Sequence, residues 1–392
     1  MRATGLRPSA CAVLLAALAA AGCSNLPSVN PMDWFGSKPT GPKPAELPAL
    51  TNAAATRVIW SANVGASEGF VFNPVLVDGT VYAASRAGTV VALDAANGQA
   101  RWRVPAGSRL SGGVGSDGTL AVVATDEGEV IAMEAKSGVV RWRARVSSEV
   151  LSAPKIAEGL VVVRSADSRI FAFGAEDGKR RWVYQRAAAS LIVRSPAGVT
   201  LHLGNAYAGF SGGKLVAIAL GNGALRWEGT VALPKGATEL ERVTDIVGDP
   251  APLGREVCAA AYQGRISCFD AQSGNALWGR EMSSLTGVSF DARYAFVSDD
   301  KGAVHAMDRS NGRSVWKQDR LSYRQLTLPM PLGTEVGTGD LQGFVHFLAR
   351  ESGAFVARAA TDGTPIRAAP LRLPDGILVQ TQGGGLYALG LK

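Results

Sequence analysis

From residue 57 to the C-terminus, short apolar runs alternate with polar turns that usually carry glycine, and the alternation recurs along the chain. Residues 80–93 read TVYAASRAGTVVAL, two β-rich runs around a turn. Counterparts are TLAVVATDEGEVIAM, LVVVRSADSRIFAF, AYAGFSGGKLVAI, VCAAAYQGRISCF, YAFVSDDKGAVHAM, EVGTGDLQGFVHFL and, at the end, ILVQTQGGGLYAL. Such runs on either side of a polar turn predict β-hairpins. A tail follows each hairpin but the last: ALDAANGQARW at 92–102, AMEAKSGVVRW at 132–142, AFGAEDGKRRW at 172–182, AIALGNGALRW at 217–227, CFDAQSGNALW at 268–278 and AMDRSNGRSVW at 306–316. The copy at 347–357, FLARESGAFVA, keeps Gly353 but has Ala357 where the others have tryptophan. The step into glycine is a turn signal, so a further strand follows each hairpin.

Trp60, Trp102, Trp142, Trp182, Trp227, Trp278 and Trp316 are separated by 42, 40, 40, 45, 51 and 38 residues. A period near 40 marks a repeat architecture. A strand near Pro74, Pro154, Pro196, Pro331 or Pro370 completes units of four. Eight hairpins but seven tails lie in chain order, and the missing outer strand is Arg57-Val58-Ile59-Trp60 ahead of the first hairpin. Pairing residues 57–60 with the C-terminal unit closes a ring and leaves no terminal edge open. The expected fold is therefore all-β, an eight-bladed β-propeller of four-stranded antiparallel blades, with 336 residues or 42 per blade. The seven tryptophans are expected to dock neighbouring blades rather than stack on a ligand.

The first 56 residues follow a different pattern. Arg2 and Arg7 precede an apolar run from Ala10 to Ala21, then Gly22 and Cys23. A basic start, a short apolar middle and small residues before a cut read as a signal peptide over 1–22. The run is too short to span a membrane, which takes about 20 apolar residues. Leu18-Ala19-Ala20-Ala21-Gly22-Cys23 resembles a bacterial lipobox, which makes Cys23 the lipid anchor; Ser24 rather than aspartate after it points to the inner leaflet of the outer membrane. Residues 23–56, with six prolines between Pro27 and Pro48, read as a flexible tether. Stretched out, it reaches on the order of 100 Å at ~3.3 Å per residue.

Composition narrows the function. Apolar residues make up 47%, enough for a large core, and the 47 glycines match the recurrent turns. The formal charge of +7 falls to +5 once Arg2 and Arg7 are removed. No basic helix, zinc-finger spacing or basic-aromatic motif argues for nucleic acid. Three histidines are thin material for metal or acid–base chemistry. His305 and His346 share one blade position with Val91, Ile131 and Phe171, which reads as a strand-surface site. Asp94, Asp270 and Asp308 recur at a blade turn, where a carboxylate accepts backbone N–H bonds. Cys258 and Cys268 lie five residues either side of Gln263. That placement suits either a cross-strand disulfide or two buried thiols.

The repeated AL-D-x-x-(N/S/D)-G-x-x-x-W unit resembles the tryptophan-docking repeat of pyrroloquinoline-quinone (PQQ) enzymes and their non-enzymatic relatives. With the lipobox and tether, the chain resembles the BamB family, lipoproteins of the outer-membrane β-barrel assembly (BAM) machine. The resemblance covers 57–392 and implies a periplasmic scaffold without enzymatic activity or cofactor, monomeric apart from its complex, that binds a BamA periplasmic domain. Unfolded outer-membrane proteins are a further candidate partner that the sequence leaves open. The two long repeats place extra residues after Trp182 and after Trp227, in neighbouring blades. Long loops on a rigid repeat are where binding concentrates. By resemblance, the family's Leu-x-Leu-Arg contact run maps to Leu191, Val193 and Arg194. Its Ser-Asp-Val-Asp run maps to residues 244–247, which keeps Asp245 but puts Val247 at the second acid. Arg242 of the second loop joins the expected contacts. The alternatives are a PQQ-type propeller oxidoreductase, and a lipoprotein scaffold for another envelope partner. The adjacent cysteine pair of the PQQ alcohol dehydrogenases is missing.

Overall fold

The computed structural model describes residues 42–51, 53–187 and 191–391. The expected signal peptide, the lipidated Cys23 and most of the tether lie outside them. From Pro44 onward the chain forms one compact unit. It contains eight four-stranded antiparallel sheets, each built from consecutive strands except the last. Blade 1 is Val75–Val77, Thr80–Ala84, Thr89–Asp94 and Ala100–Pro105, and the pattern repeats through blade 7, which ends at Phe355–Ala360. Blade 8 takes Leu371–Leu373, Gly376–Gln380 and Gly385–Leu391 from the C-terminus and Thr56–Asn63 from the N-terminal side. Trp60 pairs with Ala388 and Thr56 with Leu391. The ring is closed by the N-terminal strand, as the count of hairpins and tails requires.

The first strands of successive blades touch one another all the way round, so they form the inner ring. The fourth strands are outermost and their side chains alternate towards solvent. The second and third strands are nearly continuous buried runs, such as Leu120–Ala124, because both faces pack against neighbouring sheets. Each hydrophobic cluster is shared by two adjacent blades, so the core occupies the gaps between blades.

The tryptophans bridge these gaps. Trp142 donates its indole N–H to the Ala175 carbonyl of the next blade at 2.8 Å, and the other six do the same at equivalent turns over 2.7–3.0 Å. A one-residue bulge precedes each tryptophan; opposite Ala92/Leu93, for example, the outer strand skips Arg101 between Ala100 and Trp102. The extra residue kinks the outer strand and swings the ring outward onto the neighbour. The turn glycine receives it. Gly178 has φ +64°, and a Cβ there would sit 2.7 Å from the Trp142 ring. Both the left-handed backbone and the lack of space call for glycine.

Ala357 now has a reason. A tryptophan there would dock on the turn between the third and fourth strands of blade 8. Those strands come from opposite ends of the chain, so no such turn exists. Ala357, fully buried, packs instead in a cluster with Ala54 and Leu391, and Ala54 donates its N–H to the Val356 carbonyl at 2.9 Å.

Two smaller features bear on the chemistry. Cys258 and Cys268 are directly paired on adjacent strands of blade 5 and are joined by a disulfide. His346 is not on a strand surface: it is fully buried. It shares Asp340 Oδ2 (2.9 Å) with Arg324 (2.7 Å), and Arg358 Nε approaches its Nδ1 at 3.3 Å. The expectation failed because the equivalent positions Val91, Ile131 and Val216 are themselves buried between blades. Arg324 and Arg358 also donate to the Ala45 and Pro48 carbonyls at 2.9 and 3.0 Å, which holds residues 45–48 against blades 6 and 7.

Candidate functional site

The turns between second and third strands lie on the same face as the connections between blades, because they bond to one another: Val150 N–H to Thr125 O, Tyr262 N–H to Asp245 O, Leu341 N–H to Arg324 O. On this face the two long connections meet. The first joins blades 3 and 4, between Gln185 and Val199; the second joins blades 4 and 5, between Thr230 and Ile246. Part of the extra length after Trp227 is not loop. It forms a bulge in the inner strand of blade 5, where pairing skips from Val247 to Ala251.

Two aspartates tie the connections together. Asp245 Oδ2 accepts the Val193 N–H at 2.6 Å, and Asp249 Oδ1 accepts the Gly198 N–H at 2.7 Å. Asp245 is only 6% exposed, and burial pushes its carboxyl above the usual range despite the bond from Val193 N–H. Its side chain points inward, so it positions the first loop rather than presenting a charge. Arg194 is exposed, ion-paired to Glu149 at 2.9 Å and 5.5 Å from the Phe70 ring centroid. The Glu149 bond holds the Arg194 pKa above its ordinary value.

Between these elements opens a cavity of about 280 Å³, lined by Ile192, Val193, Arg194 and Asp245 together with Arg164 and Phe210. Leu191 and Ile192 stand beside it, 46% and 41% exposed. Of the residues expected from sequence, Val193, Arg194 and Asp245 line this cavity, and Leu191 is exposed next to Ile192 without lining it. Arg242 donates from Nε to Gly236 O at 3.0 Å within its own loop and does not line the cavity. That loop is shaped by a reciprocal cap: Glu241 Oε2 accepts the N–H groups of Ala237 and Thr238, and Thr238 Oγ1 accepts that of Glu241. The cap leaves Leu240 69% exposed at the tip. With its amide oriented to suit its neighbours, Gln263 donates to the carbonyls of Glu241 and Val243 at 3.0 and 3.1 Å and supports the same loop from below.

Glu149, Arg164 and Gln263 were not among the contacts expected from sequence. Arg164 alone left a signal, as a charged residue in an otherwise apolar strand, Leu160–Ser165. His305 bonds Asp299 at 2.8 Å, and His202 bonds the Gly254 carbonyl at 2.7 Å. Among the described residues, no helix is long and apolar enough to cross a membrane.

The tryptophan-docked, eight-bladed propeller is a scaffold of the kind that outer membrane assembly factors use, here with two linked loops over one face. The family model described as outer membrane protein assembly factor BamB matches residues 47–111 and 86–318. A Bordetella pertussis protein named outer membrane protein assembly factor BamB is 43% identical over 375 residues, 95% of each chain. The crystal structure of BamB from Moraxella catarrhalis superposes with a TM-score of 0.79 at 27% identity, covering 86% of this chain and all of that one. The quinohemoprotein alcohol dehydrogenase of Comamonas testosteroni shares the fold alone, at TM-score 0.66 and 14% identity over 85% of this chain and 76% of its own. The chain belongs to the BamB family of outer membrane protein assembly factors, a non-enzymatic group of the BAM complex.

Proposed function

We propose that this chain is the periplasmic scaffold of an outer-membrane assembly complex and that its loop-bearing face binds a BamA periplasmic domain. Cys23 carries the lipid that holds it to the inner leaflet of the outer membrane, and the proline-rich sequence within 23–56 links it to the propeller. The supporting observation is the construction of the loop face. Exposed Leu191 and Ile192 lie at a cavity whose first loop is held by buried Asp245, and exposed Leu240 tips the second loop, which Gln263 supports. Apolar anchors on a preorganised polar frame suit a protein partner, because little loop entropy remains to be lost on docking. Leu191 and Ile192 supply burial, Arg194 supplies an exposed cation for the partner's rim, and Asp245 sets the loop's position.

Affinity capture from detergent-solubilised membranes tests the reading. Wild-type chain is expected to recover BamA, and Arg194→Glu to recover much less. Capture of BamA unchanged by Arg194→Glu and by Leu191→Asp together would move the interface elsewhere.

A further inference from the structure

The cavity between the long loops contains a cation that the fold itself does not use. Arg164 pairs with Ile170 across the hairpin of blade 3. The residues at this place in the other blades, each paired in the same way, are Ala84, Ala124, Gly209, Ala260, Ser298, Gly339 and Gln380. Six of these seven are Ala, Gly or Ser, because the blade needs only a small side chain where the next connection passes close by. Gly209 illustrates the crowding: a Cβ there would meet Ile246 at 2.2 Å. A guanidinium at this position is an addition to the blade rather than a requirement of it.

Nor does its surroundings satisfy it. Among the described residues the Arg164 guanidinium makes one long hydrogen bond, Nη1 to Gly198 O at 3.5 Å, and lies 5.1 Å from the Phe210 ring centroid. No carboxylate of a described residue comes within 4.0 Å of it, although most other arginines on this face, Arg86 and Arg194 included, have one. The nearby acids are engaged elsewhere: Asp245 by Val193 N–H, Asp249 by Gly198 N–H and Lys155, Glu149 by Arg194. Burial is strong enough to lower the Arg164 pKa to about 10 against the pull of Asp249 and Asp245. It stays charged at neutral pH, with most of its donors unused.

Arg164 is partly buried on the cavity wall, and a cation there with few acceptors gains from an anion that enters the cavity and bonds it. The cavity gives that access, and its lining includes exposed Ile192, with exposed Leu191 next to it in the chain, aliphatic side chains that a protein would cover and a small ion would not. We propose that Arg164 is the socket for an acidic side chain of the protein partner, which enters the cavity between the two long loops and bonds the guanidinium. The inference rests on the partner reading above and adds a residue and a chemistry to it. Exposed Arg194 would guide approach, whereas Arg164, partly buried in the cavity and covered once the partner docks, would set specificity, because a desolvated charge pair discriminates against a neutral side chain more strongly than a rim pair does.

The test uses the full chain in detergent and the BamA periplasmic domain as probe, with binding measured by calorimetry and the Tm of the free chain measured alongside. Arg164→Met, which keeps the stem volume, is expected to leave Tm unchanged or higher and to weaken binding by about 30-fold or more, since truncating one partner of a buried pair costs about 2 kcal/mol or more and each 1.4 kcal/mol is about tenfold. Arg164→Lys should fall between the two. A structural arginine would behave oppositely, with lowered Tm in Arg164→Met. That result, or wild-type affinity in Arg164→Met, overturns the socket while leaving the partner reading intact. If the wild-type chain fails to bind the probe, the partner reading falls and the socket with it.

Discussion

The tryptophan lock between blades 2 and 3 can be taken apart quantitatively. Trp142 is 9% exposed, packs 6.4 Å from the Phe173 ring centroid, and donates to Ala175 O at 2.8 Å. Trp142→Ala removes the ring and leaves that carbonyl unpaired, with an expected loss of about 3–5 kcal/mol. Trp142→Phe keeps most of the apolar contact and loses the N–H, so about 1–2 kcal/mol is expected. Gly178→Ala should cost about 1–2 kcal/mol for the left-handed backbone and more for displacing the ring. In the Trp142→Ala background only the backbone strain remains, so the two changes together should cost less than their sum. Ala357→Trp is the converse test. Its residue is fully buried and no turn receives it, so about 1–3 kcal/mol of overpacking is expected and no gain. Urea unfolding followed by far-ultraviolet circular dichroism measures all of these, provided the m-values agree. If Trp142→Ala costs less than about 1 kcal/mol, or the double change is additive, the lock does not work as described. If Ala357→Trp stabilises the ring, the account of the missing tryptophan is wrong.

Three further outcomes can be checked. Burial, opposed by the bond to Asp340, holds the His346 pKa below 6.5, so the unfolded chain takes up the proton first and stability falls as pH drops through about 6.5. His346→Gln should flatten the stability profile between pH 7 and 5, and an unchanged slope would show that His346 is not its source. Peptide mapping without reductant should recover residues 258 and 268 in a linked fragment, and free thiols at both would contradict the disulfide. Asp245→Ala should raise amide hydrogen exchange at Val193 and weaken capture of BamA, whereas Asp245→Asn, still an acceptor, should change both far less; equal effects would indicate that Asp245 acts through its charge.

What could be read from the chain was what repeats. Hairpins, turn glycines and tryptophans recur because every blade solves the same packing problem, so composition and spacing define the blades, their number and a closing strand at 57–60, which the structure extends to Thr56–Asn63. Leu191, Val193 and Arg194 were reachable only because a family pattern maps onto them, and the loop-length excess pointed to the same place. The roles of single residues were not legible. Asp245 was expected as a partner contact, and its burial and its bond to Val193 were not legible; Arg242 was expected as a contact, and its bond to Gly236 was not legible; His346 reads as a surface residue and is an internal bond partner. Glu149 and Gln263 lie in different blades or connections from the residues they bond, and nothing in the local sequence brings them together. By itself, then, the sequence determined the ring, because periodic local signals add up along the chain. Only the tertiary structure decided the site, because burial and hydrogen-bond partners there come from connections that meet across blades.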